Sequence, residues 1–172
     1  MPGFKTIADG RILLTALTTK PADPRNPTVA ELTAGQKISC HILKSDYQLG
    51  ATGQATVSEI EMCKTGEGQA PGTISRAGAL TIPRYLDPET GKPDAEADFV
   101  YDMFKTPGTT LYLYEREGPL ESQEWAAGDI ADYSEGGTLV PIKPSDRFTG
   151  YQKRTVNLAV ADGVEGVVVA GA

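Results

Sequence analysis

The strongest constraint on this chain is its punctuation. Nineteen glycines and 12 prolines are spread through 172 residues, so its ordered segments must be short and its turns frequent. Between these breakers lie many Val, Ile and Thr residues and seven tyrosines, side chains that suit a pleated, half-buried surface. The length fits one domain over residues 1–172, with room for a real core.

Residues 11–18 suit a buried strand, and a Pro-rich connection with Pro21, Pro24 and Pro27 follows. Thr28 has the character of an N-cap for one helical turn through Leu32, closed by Gly35. Gln36 to Leu43 alternates, with Ile38, Cys40 and Ile42 on one side, and predicts a half-buried strand. From Lys44 to Gly72 the pattern weakens and glycines accumulate, which predicts a long loop with one strand-like piece near Thr56 to Met62. Strands are expected over 73–86 and 109–117, with shorter ones at 125–133 and 138–142. A closing pair at 155–161 and 164–170 is expected to turn at Asp162-Gly163. Asp87-Pro88-Glu89-Thr90-Gly91 is a turn, and a helix is expected from Pro93 and Asp94 to Lys105, with Phe99, Val100, Met103 and Phe104 as its apolar stripe. The expected class is α+β, mainly β: two packed antiparallel sheets, sandwich- or barrel-like, flanked by one α-helix.

The net charge of −7 argues against groove-reading of DNA, which needs cations to displace counterions from phosphates. The charge is lopsided. Between Asp87 and Glu135 lie thirteen acids against Lys92, Lys105 and Arg116, a balance of −10, and the rest of the chain carries +3. Such a stretch is either a solvated acidic face or a surface that must not stick to nucleic acid.

Catalytic signatures are missing. His41 is the only histidine and sits on the polar side of its expected strand, so a two-His metal site cannot form within one chain. No G-x-S-x-G occurs, a Cys63–His41 dyad has only a remote geometric chance, and the loose carboxylates single out no acid/base pair. Gly66-Glu67-Gly68 places an acid where a phosphate would approach. The sequence therefore calls for no catalytic residue, no metal and no cofactor. Cys40 and Cys63 are expected to be reduced and partly buried, and Trp125 and the tyrosines to pack in a core or interface. Met1 to Lys5 lacks a long apolar region and no apolar run could span a bilayer, so a soluble, non-exported protein with no membrane partner is expected.

Several stretches resemble the major tail tube proteins of siphophages, especially those of actinobacterial phages. They are Leu80-Thr81-Ile82-Pro83-Arg84-Tyr85, the acidic turn Asp87 to Gly91 leading into the helix, and Leu111 to Gly118. Ala126-Ala127-Gly128-Asp129 and the closing segment with Asp162-Gly163 are similar too. The resemblance spans roughly residues 8–170. It implies a tail-tube fold, hexameric rings stacked into a tube, and a virion-tail location after assembly in the host cytoplasm. It also implies contacts with tape measure, tail terminator and tail tip proteins, and DNA passing through the lumen without specific binding. An extended inter-ring loop would lie at about 46–72, with Asp46, Tyr47, Leu49 and Glu67 as candidate contacts. Glu115, Glu117, Asp129 and Asp132 are the candidates for lumen-facing acids. The competing reading is a monomeric β-sandwich binding or adhesion module of a virion, displaying an accessible aromatic platform around Trp125, Tyr112 or Tyr114.

Overall fold

The computed structural model describes residues 7–60, 62, 63, 65, 66 and 68–171. In chain order the elements are β1 (Ile12–Leu17), α1 (Val29–Thr33), β2 (Gln36–Lys37), a 3-10 turn (Ser39–His41), β3 (Leu43–Glu59) and β4 (Gly68–Pro83). They continue with α2 (Phe99–Phe104), β5 (Thr110–Glu117), β6 (Ile130–Thr138) and β7 (Lys153–Val168). The mainly β character matches expectation, but the strands form one antiparallel sheet, in the order β2-β1-β5-β6-β7-β4-β3, where two were expected.

The difference arises at β7. Asp162-Gly163, expected to be a hairpin turn, lies inside this 16-residue strand. The first part of β7 pairs with β4 (Lys153↔Pro83, Leu158↔Gly78) and its later part with β6 (Val160↔Gly136, Val168↔Ile130). Gly163 serves close packing: a Cβ there would lie 2.8 Å from Arg76 Nη1 and 3.0 Å from the Tyr133 carbonyl oxygen. One unbroken strand thus joins what would have been two layers.

The single sheet curls. In a flat sheet, β3 and β5 would stand about 19 Å apart, four strand spacings. Instead the Tyr47 hydroxyl on β3 donates to the Glu115 carboxylate on β5, and Cα atoms of β3 come within 8 Å of β6 with two strands between them. On the inner face, Leu14, Leu111 and Leu113 share a cluster with Leu80, Ile82, Val156 and Leu158, capped by Val100 and Phe104 of α2. On the outer face, Leu13, Leu17, Tyr114 and Tyr133 pack under Leu32 of α1 and Trp125. Each such aliphatic side chain, fully buried, contributes about 1.5–3 kcal/mol.

Local chemistry explains which elements match and which do not. Thr28 caps α1 in a capping box: its hydroxyl accepts from the Glu31 N–H, while Glu31 accepts from the Thr28 N–H. The 87–91 turn forms as its residues dictate, with Asp87 Oδ1 accepting from the N–H groups of Glu89 and Thr90 and Gly91 at φ +67°. The strand expected over 36–43 stops at Lys37, because Ser39 Oγ accepts the Leu14 N–H and a 3-10 turn follows. Ile38 is buried there, but Cys40 is exposed. The segment expected to be a loop over 44–72 is instead most of a long hairpin, β3–β4.

The helix expected from Pro93 begins only at Phe99. Asp94 spends its carboxylate on the N–H groups of Glu96 and Ala97 in a turn. Asp98 turns to Arg84, whose Nη2 donates at 2.7 Å and Nε at 3.0 Å, and whose guanidinium lies 3.7 Å from the Tyr101 ring centre. The strand expected over 125–133 is displaced to β6 by a loop folded around Arg116, and of 138–142 Thr138 closes β6 while Ile142 makes only the isolated bridge to Thr155. The expected last strand ends within β7, with Ala170 bridging Thr28.

The Asp98–Arg84 pair yields the first prediction. Asp98→Ala strands a guanidinium whose side chain is only 11% exposed, so unfolding by denaturant should show a loss of about 3–5 kcal/mol. The double substitution Arg84→Met/Asp98→Leu should recover most of it; equal losses in both would deny the pair this role.

Candidate functional site

Two regions stand out: the projecting half of the β3–β4 hairpin and the acidic inner face of β5 and β6. Beyond Gly50, both hairpin strands lie in solvent. They are held by their own ladder (Val57↔Ala70, Ser58↔Gln69, Glu59↔Gly68) and by side-chain bonds such as Gln54 Nε2 to the Gly72 carbonyl at 3.0 Å. Gly, Ala, Ser and Thr dominate here, and this weak strand propensity is what blurred the sequence pattern. β3 ends the sheet, so its outer edge offers unpaired backbone groups over 47–58, a stretch with neither charge nor proline.

Of the four inter-ring candidates, Asp46 is exposed, Tyr47 is half-buried against Glu115, and Leu49 is half-buried against the inner core. Glu67 lies outside the described residues. The apolar groups the hairpin does present are Val57, Ile60, Met62 and Ile74, each more than half exposed. Their signal was available in the sequence, as isolated large apolar residues in an otherwise small and polar stretch.

The four acidic candidates divide between the faces. Glu115 and Asp132 are cross-strand partners and point to the inner side, with Glu117 two residues further along the same side. Asp129 belongs to the other side, where it accepts from the buried Arg116 at 2.7 Å. That arginine also donates to the carbonyls of Leu120, Gln123 and Glu124, and so folds the 118–129 loop around itself. Glu117 and Asp132 are exposed. Glu115 borders a cavity of about 160 Å³ shared with Leu49, Arg76, Asp132 and Glu165. Burial, with Glu117 and Asp132 nearby as like charges, pushes its carboxyl up to about 7. Tyr47 hydroxyl can donate to the ionised group or accept from the neutral one, so burial decides. Much of the remaining acid excess is already committed: Asp102 to Lys105, Glu124 to Lys37, and Glu135 to Lys20.

The other singled-out residues have structural settings. Trp125 is buried and its Nε1 donates to Thr15 Oγ1 at 3.0 Å. Tyr114 is buried as well, so neither can form an accessible aromatic platform. His41 is not a plain surface group: its ring stands edge-on to Phe99 at 4.9 Å and near Tyr85 at 5.7 Å. Cys40 and Cys63 are free and exposed, where partial burial was expected. Among the described residues no cluster of three metal-ligating side chains occurs, and no helix is long and apolar enough to cross a membrane.

A family model described as phage tail tube protein matches residues 1–172, the whole chain. No curated protein matches it.

The Glu115 setting predicts a pH effect. Its folded-state value lies above the unfolded one near 4.5, so its stabilising contribution is complete below about pH 4.5 and drains away as pH rises through about 7. Between about pH 5 and pH 8 the protein should lose roughly 1–3 kcal/mol through this group. Glu115→Gln should remove that loss and melt higher than the parent at about pH 8, with little difference near pH 4.5. Parallel melting curves for the two proteins would contradict the assignment.

Proposed function

Since the chain belongs to the phage tail tube protein family, a structural component of the virion tail, we propose that its subunits assemble into hexameric rings that stack into a DNA-conducting tube. The whole chain serves as one tube domain, with no catalytic task. Its partners are copies of itself and the tape measure, terminator and tip proteins that begin and end a tail.

The observation that carries this reading is surface. The isolated chain exposes 10721 Å² at 18.2 kDa, whereas a compact monomer of that mass exposes roughly 8,100 Å². The excess is several times the roughly 800 Å² per partner of a standard interface. The projecting hairpin, exposed on both strands beyond Gly50 and with little to hold it alone, contributes to that excess. Joining β3's free edge to a neighbouring subunit would pair its ladder groups and remove an aggregation-prone edge. The exposed carboxylates of Glu117 and Asp132 suit a wall facing the channel, where they would repel phosphates and let the duplex slide.

Negative-stain microscopy of the purified protein tests assembly directly: rings and tubes are expected at high concentration, and a strict monomer, alone and with tape measure or initiator proteins, would refute the proposal. The channel wall is tested separately. Glu117→Lys with Asp132→Lys should leave tubes intact but slow DNA passage in ejection assays; unchanged ejection would place these acids away from the lumen.

A further inference from the structure

We infer that the apolar hairpin tip of one subunit seats in the groove between β1 and the root of β3 on a second copy, making a head-to-tail contact. This rests on the tube reading and names the surface that receives the hairpin.

The groove encloses about 600 Å³ and is bordered by Ile12, Leu14, Ile42, Leu43 and Tyr47 with Cys40 at its rim. It opens where the chain leaves the β1 ladder after Lys37: the 3-10 turn carries residues 39–41 away, and β3 begins at Leu43, paired with β4. Nothing among the described residues fills it. Its walls are mainly apolar and concave, with Ser39, Glu121 and the Asp9–Lys44 ion pair also in the lining, and a cavity of this size accepts a few large side chains.

The matching shape lies on the same chain. Met62 is fully exposed at 108%, Ile60 at 65%, Val57 at 52% and Ile74 at 51%. Val57 lies beside Gly72, since a Cβ on that glycine would fall 3.4 Å from Val57 Cγ2, while Ile74 pairs with Gln54 beyond a register shift in the ladder. Val57 and Ile74 therefore stand on opposite faces of the hairpin below the tip carrying Ile60 and Met62. Left in water, these groups forfeit the free energy of burial, and the subunit's excess surface is of the size an obligate contact would cover.

Tip and groove are different surfaces, so the contact is heterologous. It cannot close on itself within two copies, and repeats from one copy to the next as an open stack. Seating also delivers Cys63, one residue beyond Met62, toward Cys40 at the groove rim, and both thiols are free and exposed. The two native cysteines thereby report on the contact.

The experiment is oxidation of assembled tubes with copper(II)–phenanthroline, which takes two electrons and two protons from each pair of thiols as the disulfide forms. The expected product is a ladder of covalent multimers on a non-reducing gel, with a Cys40–Cys63 linkage by peptide mass spectrometry. Cys40→Ser and Cys63→Ser should each abolish the ladder while leaving tubes visible. Tubes without that linkage, or with Cys63 instead trapped by a cysteine placed at exposed Val140, would overturn the seat and leave the tube reading standing. Absence of both rings and tubes would overturn the tube reading itself. Two further variants act without cross-linking, at positions exposed in the subunit. Met62→Asp and Cys40→Arg should each lower stacking at least about tenfold, with rings still formed and thermal melting unchanged. Stacking equal to the parent in both would overturn the proposal.

Discussion

Burial of β1 and β5 on both faces is the constraint on which the rest of this structure depends. Leu13 and Leu17 look one way along β1 while Leu14 and Ala16 look the other. On β5, Leu111 and Leu113 oppose Tyr112 and Tyr114 in the same manner. A sheet with such strands, apolar on both sides, cannot leave either side of them to water. The outer side is covered by α1 and by the 118–129 loop, pulled down by Arg116 and roofed with Trp125. The inner side is covered by α2 and by the sheet's own far half, brought round by curling.

That curl has a consequence for function. It consumes the inner ends of β3 and β4, whose Tyr47, Leu49, Leu80 and Ile82 pack into the core. The distal ends, beyond Gly50 and before Ala77, are longer than the core can use and project into solvent. A hairpin of small residues with exposed Val57, Ile60, Met62 and Ile74 gains little by standing free. Its persistence in the fold fits a chain whose remaining contacts come from other copies. The same curl turns the carboxylates of Glu115 and Asp132 to one side and half-buries the first of them, which couples the charge of that face to subunit stability.

Much of the local architecture was legible in the residues. Thr28 with Glu31 specifies a capped turn, Asp87 to Gly91 specifies another, and the two-sided apolar run of β1 and the alternation of β5 declare strands outright. Those signals are short-range, carried by hydrogen bonds and side-chain spacing within a few residues. Errors arose where a distant partner outweighed them. Asp98 was drawn from the expected helix to Arg84, Ser39 from a ladder to Leu14, and Gly163 from a turn to the close approach of Arg76. The β3–β4 hairpin was missed because its residues have weak strand propensity, and ladder pairing along its whole length supplies what propensity does not.

By itself, then, the sequence determined a mainly β chain, its turns and caps, its acidic imbalance and its lack of a catalytic signature, since all of these reside in residue identity and near spacing. The tertiary structure alone decided that one sheet does the work of two, that Asp129 parts company with Glu115, Glu117 and Asp132, and that the Gly-rich stretch is a projecting hairpin. Each depends on which strand lies beside which, and strand neighbours such as β7 with both β4 and β6 are set by long-range pairing that no local pattern encodes.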